Sequence, residues 1–167
     1  MRTKNFITAA AVATLVATGF SAQARSACLN GGNPGIVMSG SQNYESIPAE
    51  AKRFIDRHFK DVGISKCEQY FAKGKYEVEL SNGVDIEFNT KGDVTEIDAP
   101  DNAFLAPSVV KDLLHRSACS HLEKDGLEAK VESIEFKKGR AVEVEVSIPD
   151  PDTFIFDIDG NFIAIQD

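Results

Sequence analysis

The stretch Lys75-Tyr-Glu-Val-Glu-Leu-Ser-Asn-Gly-Val-Asp-Ile-Glu-Phe-Asn-Thr-Lys-Gly92 decides the fold. Tyr76, Val78 and Leu80 alternate with Glu77 and Glu79, and Val84, Ile86 and Phe88 alternate with Asp85 and Glu87. A period of two marks two strands, each burying one face. A two-residue turn on Asn82-Gly83 would set Leu80 opposite Asp85 and put a carboxylate on the apolar face. A three-residue loop avoids that. Ser81 and Asn82 form a type I turn, Gly83 goes left-handed as a bulge, and Leu80, Val78 and Tyr76 then face Val84, Ile86 and Phe88.

The same pattern closes the chain. Val142-Glu-Val-Glu-Val146 repeats Tyr76-Glu-Val-Glu-Leu80, Phe156-Asp-Ile-Asp-Gly160 repeats Phe88-Asn-Thr-Lys-Gly92, and Lys138-Gly139-Arg140 matches Lys73-Gly74-Lys75. Only Ile148-Pro149-Asp150-Pro151-Asp152 departs, a stiffer and longer loop where the first copy has Ser-Asn-Gly. Each hairpin follows a strand (65–72, 131–136) and a proline-opened helix. From Pro48 the residues Ala51, Phe54, Ile55, His58 and Phe59 share one face, and Gly63 ends the helix. From Pro107 the face is Val110, Leu113, Leu114 and Ala118, with the helix running on or looping through 120–126. Asp93 to Asp98 closes the first copy and 99–102 is a connector. The expected class is α+β: two tandem helix-plus-antiparallel-meander repeats with the helices on one face of the sheet or sheets.

Upstream, Arg2 and Lys4 precede an uncharged apolar run to Phe20 and then Ala22-Gln23-Ala24, which reads as an export signal cut after Ala24. The run is shorter than the roughly 20 residues a membrane span needs. A lipoprotein anchored at Cys28 is the minor alternative. The predicted organisation is signal 1–24, flexible tether 25–46, first repeat 47–98 and second repeat 105–167, with no span in the mature chain. Loss of Arg2 and Lys4, and of no acid, leaves 16 basic residues against 26 acidic ones, net −10. That balance excludes nucleic acid and anionic membrane surfaces, which both require clustered positive charge.

Two copies of a proline-opened helix, a charged alternating hairpin and a closing Phe-Asp/Asn-x-x-Gly turn resemble the PepSY-like family of exported bacterial proteins, related in fold to the β-lactamase-inhibitor protein. The resemblance covers about 47–165 and rests on element order and duplication. It implies a β-lactamase-inhibitor-like arrangement and a role in binding or inhibition, and it carries over no functional residue.

The residues themselves give no catalytic set. His58, His115 and His121 are the only histidines, and none lies in a motif with defensible mechanics. His115 and Cys119, four apart, lack further ligands at metal spacing. Asp157-Ile-Asp159-Gly-Asn161 resembles half a calcium loop, but the glycine is misplaced and a hairpin turn explains the same residues. No cofactor is expected. Of three cysteines, Cys67 and Cys119 fall within the repeats and are the expected disulfide, with pairing to Cys28 or free thiols as alternatives.

The candidate site is the uncovered sheet face. If helices cover Tyr76, Val78, Ile86, Val144 and Phe156, then Glu77, Glu79, Asp85, Glu87, Glu143 and Glu145 stand opposite. Pairing Phe88 with Val94 and Phe156 with Phe162 sends Ile97, Ile163 and Ile165 the same way. Acids beside exposed isoleucines suit a protein partner, while the competing reading is an ordinary solvated face. The expected function is therefore a non-enzymatic exported module, periplasmic or secreted, that binds and by resemblance inhibits another envelope or secreted protein such as a peptidase or other hydrolase. The alternative is a cation- or small-ligand-responsive accessory protein of the envelope.

Overall fold

In the computed structural model, which describes residues 44–147 and 151–166, strands β2 (Lys75–Leu80) and β3 (Asp85–Asn89) pair in the register that the alternation predicts. Tyr76 faces Phe88 and Val78 faces Ile86. The Gly83 amide donates to the Leu80 carbonyl at 2.9 Å, the Leu80 amide to the Val84 carbonyl at 2.8 Å, and Gly83 has φ +84°. The turn is thus the three-residue type with a left-handed glycine. The expected signal, residues 25–43 of the expected tether, Cys28 and loop positions 148–150 lie outside the described residues. The last three tether positions, Tyr44–Ser46, form a 3₁₀ turn, and Tyr44 is buried with Ile47. The domain therefore begins before residue 47.

The remaining strands are β1 (Ile64–Tyr70), β4 (Val94–Asp98), β5 (Val131–Lys137), β6 (Ala141–Ser147), β7 (Pro151–Phe156) and β8 (Phe162–Gln166). All eight form one antiparallel sheet in chain order. The two four-stranded halves join where Glu96, Ile97 and Asp98 face Glu135, Ile134 and Ser133. Register shifts recur at matching places, at Ile64/Lys66 and Val131/Ser133, and again at Glu87/Phe88 and Ile155/Phe156.

Three helices, α1 (Ala49–His58), α2 (Pro107–Leu113) and α3 (Arg116–Lys124), accompany the sheet, so the class is α+β. The single helix expected from Pro107 to Ala118 is two helices. Leu114 and His115 are extended (ψ 146° at both), and His115 Nδ1 caps α3 by accepting from the Ser117 amide at 3.3 Å. The break gives α3 its own N-terminus, and that end is used. Gly160, in the β7–β8 turn, sits where a Cβ would lie 2.8 Å from His115 Cβ and 2.6 Å from Ser117 Oγ. Gly92, in the β3–β4 turn, sits equally close to the start of α1, where a Cβ would lie 2.7 Å from the Ala51 amide. Each of these turns thus meets the start of one helix, and Ala51 and Ile55 of α1 are buried, as are Ala118 and Leu122 of α3.

The core lies between helices and sheet. Phe54 of α1 meets Phe88 edge-on with centroids 6.1 Å apart, and His121 of α3 stacks on Phe162 at 4.6 Å and meets Phe156 edge-on at 5.6 Å. Val78, Ile86, Phe88, Ile97, Ile134, Val144 and Phe156 are fully buried, each contributing about 1.5–3 kcal/mol.

The expected Cys67–Cys119 disulfide is absent: among the described residues neither cysteine is paired. Cys67 lies on β1, one edge strand, whereas α3 packs on β7 and β8 at the other edge. Strands are spaced roughly 4.8 Å apart, and a disulfide needs Cα atoms within about 7 Å. Burial pushes the Cys67 thiol up to about 11, so it stays protonated at neutral pH.

Candidate functional site

The sheet face away from the helices carries two rows of carboxylates. One row runs Glu68, Glu77, Glu87, Glu96, Glu135, Glu143 across β1 to β6, each residue directly opposite the next. The other runs Glu79, Asp85, Asp98, Ser133, Glu145 across β2 to β6. The expected positions Glu77, Glu79, Glu87, Glu143 and Glu145 are all in these rows. Glu68, Glu96, Asp98 and Glu135 join them and were not expected.

Ile97 does not belong to this face. It is fully buried opposite Ile86, and a bulge is the reason. Phe88 faces Val94 as expected, but Glu87 then faces Glu96, so Thr95 is an extra residue and the parity of β4 reverses beyond it. Ile97 turns into the core and Glu96 and Asp98 turn out. The same slip in β8 leaves Ile163 as the extra residue and sets Ile165 opposite Phe154, on the helix side of the sheet. Both are exposed, at 56% and 49%, but they flank the sheet edge rather than the carboxylates. The trace of the bulge in the sequence is apolar residues three apart, Val94 and Ile97, within a strand, where strict alternation would have buried Glu96.

Lysines neutralise part of the first row. Lys66 Nζ reaches Glu77 at 3.2 Å and Glu68 at 3.3 Å, Lys75 pairs with Glu87, and Lys137 pairs with Glu135 and, at 3.2 Å, with Glu143. The Tyr70 hydroxyl, and then Lys66, hold the Glu68 carboxyl below the usual carboxylate range. Glu79, Asp85, Glu96, Asp98 and Glu145 have no ion pair among the described residues. Partial burial raises the pKa of Asp85, Glu96 and Asp98, and neighbouring charge adds to it: Glu79 and Glu77 on Asp85, Asp98 and Glu135 on Glu96, Asp85 and Glu145 on Asp98. The middle of the face is therefore a field of under-compensated negative charge on a rigid support.

At one end of the field β4 and β5 part company. Beyond Glu96 and Glu135 the strands splay, leaving a cleft of about 1490 Å³. Its lining mixes six acidic and six basic residues, Glu87 and Glu135 beside Lys75 and Lys137 among them, with Phe54, Leu113 and Phe136. No three His, Cys, Asp or Glu side chains converge as a metal-holding group among the described residues. The histidines have other partners. His58, its side chain 6% exposed, has Nε2 2.8 Å from Asp112 Oδ2, His115 caps α3, and His121 is stacked on Phe162. Asp157 spends its carboxylate on its own turn, Oδ1 accepting from the Asp159 and Asn161 amides at 3.0 and 2.8 Å.

No protein-family model matches the chain, and no curated protein matches it. Among solved structures it is similar to three proteins of Bacteroides. One from Bacteroides thetaiotaomicron, designated a calcium-regulated periplasmic protein, is 28% identical with a TM-score of 0.61 over 74% of this chain and 92% of that one. A periplasmic protein of the DUF2874 family from Bacteroides vulgatus is 27% identical with a TM-score of 0.59, again over 74% and 92%. A periplasmic protein of unknown function from Bacteroides vulgatus shares the fold at 21% identity, with a TM-score of 0.60 over 76% and 97%. No helix among the described residues is long and apolar enough to cross a membrane.

Proposed function

We propose that this chain is an exported, non-enzymatic binding module of the bacterial periplasm, built from two copies of one helix-and-meander unit, whose open sheet face captures a cationic surface of another envelope protein. The observation that carries this reading is the set Glu79, Asp85, Glu96, Asp98 and Glu145 on the open face, which has no ion pair among the described residues. Like charges set directly opposite one another across strands cost stability, so a surface arranged this way gains when a cation arrives. The field also steers a basic partner before contact. The duplication is supported by matching register shifts, by the glycine contacts at α1 and α3, and by the paired turns at Asn89 and Asp157. With the export signal, it keeps the PepSY-like reading, and the inhibitory role that reading implies is the case in which the partner's cationic surface borders an active site. The periplasmic assignment rests on the Bacteroides neighbours together with that signal.

A second reading has calcium as the cation, favoured by the Bacteroides thetaiotaomicron neighbour and by Asp85 facing Asp98. Calcium takes six to eight oxygens, so such a site would form by rotation of these exposed carboxylates around the ion with water completing the shell. Two measurements on the wild type and on an Asp85→Asn/Glu96→Gln/Asp98→Asn variant separate the readings. Capture of envelope protein that weakens in the variant supports the first, and capture that the variant leaves unchanged removes the face from it. Calorimetric titration with calcium chloride supports the second if binding tighter than millimolar is lost in the variant; weaker binding removes it.

A further inference from the structure

The open edge of β8 lies outside the carboxylate field and has a different chemistry. Among the described residues β8 pairs with β7 alone, and its own residues, Phe162-Ile163-Ala164-Ile165-Gln166, include no charge, proline or glycine. Four of the six exposed large hydrophobic residues among those described, Ile158, Phe162, Ile163 and Ile165, lie on it or on the turn before it. The opposite edge, β1, is guarded in the usual way by Lys66, Glu68 and a register shift. An apolar, uncharged edge strand is a template for another strand.

We propose that β8 is the docking edge for a second copy of this chain, the two β8 strands pairing antiparallel about a two-fold axis to make one continuous sheet. Charge placement selects this occupant. In a chain of net −10 after signal removal, copies repel wherever their acidic rows meet, but on the open face those rows stop at Glu143 and Glu145 of β6. The last two strands present Thr153, Ile155, Ala164 and Gln166 there, so two copies joined at β8 keep their acidic rows apart with four strands between them. An antiparallel two-fold pairing also sets each strand against itself. With the axis at Ala164, Ile163 faces Ile165 of the other copy, and the exposed apolar residues cover one another.

The apolar segment Ile36-Val37-Met38 of the same chain is too short of reach. Tyr44 lies 5.2 Å from Lys52 on α1, which packs over β3. A strand added beyond β8 is six strand spacings from β3, roughly 29 Å at about 4.8 Å each. The six residue steps from Tyr44 back to Met38 extend at most about 20 Å.

The test is sedimentation equilibrium of the exported chain, starting at Arg25, over a wide concentration series, with amide hydrogen exchange of β8 in dilute and concentrated samples. The expected result is a mass that rises from one chain to two, β8 amides that gain protection as concentration rises, and a dimer constant weakened about tenfold or more by Ile163→Glu/Ile165→Glu, which sets like charges opposite each other. The exchange measurement needs no variant and decides the matter if the double variant folds poorly. A single-chain mass at every concentration overturns the proposal. So does a dimer indifferent to the double variant with β8 exchange independent of concentration, which would put the interface elsewhere. Protection of β8 already complete in the dilute monomer overturns it in favour of a segment of the same chain. None of these outcomes depends on the carboxylates of the open face.

Discussion

Asp98 is held between Asp85, Glu145 and Glu135, and partial burial together with those charges raises its pKa above the ordinary 3.8. A carboxyl with a raised folded pKa binds its proton more tightly in the native than in the unfolded state, so stability falls as pH rises through that window. Asp98→Asn should therefore stabilise the protein near neutral pH by about 0.5 kcal/mol, the scale of one opposed like-charge pair. The gain should vanish below the unfolded value, where the wild-type carboxyl is protonated in both states, and urea unfolding at neutral and acid pH reads both. Asp112 has the opposite sign. Its hydrogen bond with His58, and then Arg57, lowers its pKa, so its contribution is present above 3.8 and is lost as pH falls through the depressed folded value. Asp112→Ala leaves the nearly buried His58 ring without its partner on α2 and should cost about 1–2 kcal/mol at neutral pH, with a smaller cost in acid. The Asp112 contact was not legible in the sequence, because it joins residues 54 positions apart through a helix whose end the sequence misplaced. The outward glutamates of β2, β3 and β6 were legible, because two-residue alternation alone settles which side they take.

Turns and helix ends decide how the elements lock together. Gly92 has φ +94° and admits no Cβ, since one would lie 2.7 Å from a backbone nitrogen of α1, whereas Gly139 has φ +70° with open space around it. Gly92→Ala should cost about 2 kcal/mol or more, strain and collision together, and Gly139→Ala only the strain of a left-handed residue, about 1 kcal/mol. The difference between the two urea midpoints measures the seating of the turn on α1. Equal losses would mean that the close approach relaxes without cost. At this scale the hairpin registers and strand positions followed from the sequence, and the three-residue loop was decided by a single carboxylate that the other turn would have buried. Two features did not follow. A bulge adds one residue without changing composition, so β4 and β8 were assigned the wrong parity and Ile97 the wrong face. The break at Leu114–His115 has no proline or glycine to announce it; a histidine ring nitrogen caps α3, and the contact that uses the new N-terminus comes from Gly160, over forty residues later.

Across the whole molecule the eight strands close ranks into one sheet, so the acids of both halves share a single face instead of two separated ones. The join at β4–β5 brings Glu96 opposite Glu135 and leaves Asp98 one strand away from Glu145, so carboxylates of the second half add to the charge that Asp98 and Asp85 already place on Glu96 and Asp98. Neither half alone has that feature, and strand patterning cannot reveal it because it depends on which strands become neighbours. The repulsion is between partly exposed groups, and screening weakens it over a Debye length of about 10 Å at 0.1 M salt. Stability at neutral pH should accordingly rise with sodium chloride, by about 0.5–1 kcal/mol between low and physiological ionic strength if two or three opposed pairs are relieved. The rise should be mostly lost in the Asp85→Asn/Glu96→Gln/Asp98→Asn variant, which removes the charges at the seam but leaves Lys66, Lys75 and Lys137 with their own partners. Urea midpoints across a salt series for both proteins measure this. A variant that keeps the full salt response would mean that the net charge of the chain, and not the carboxylates at the seam, sets the electrostatic cost of folding.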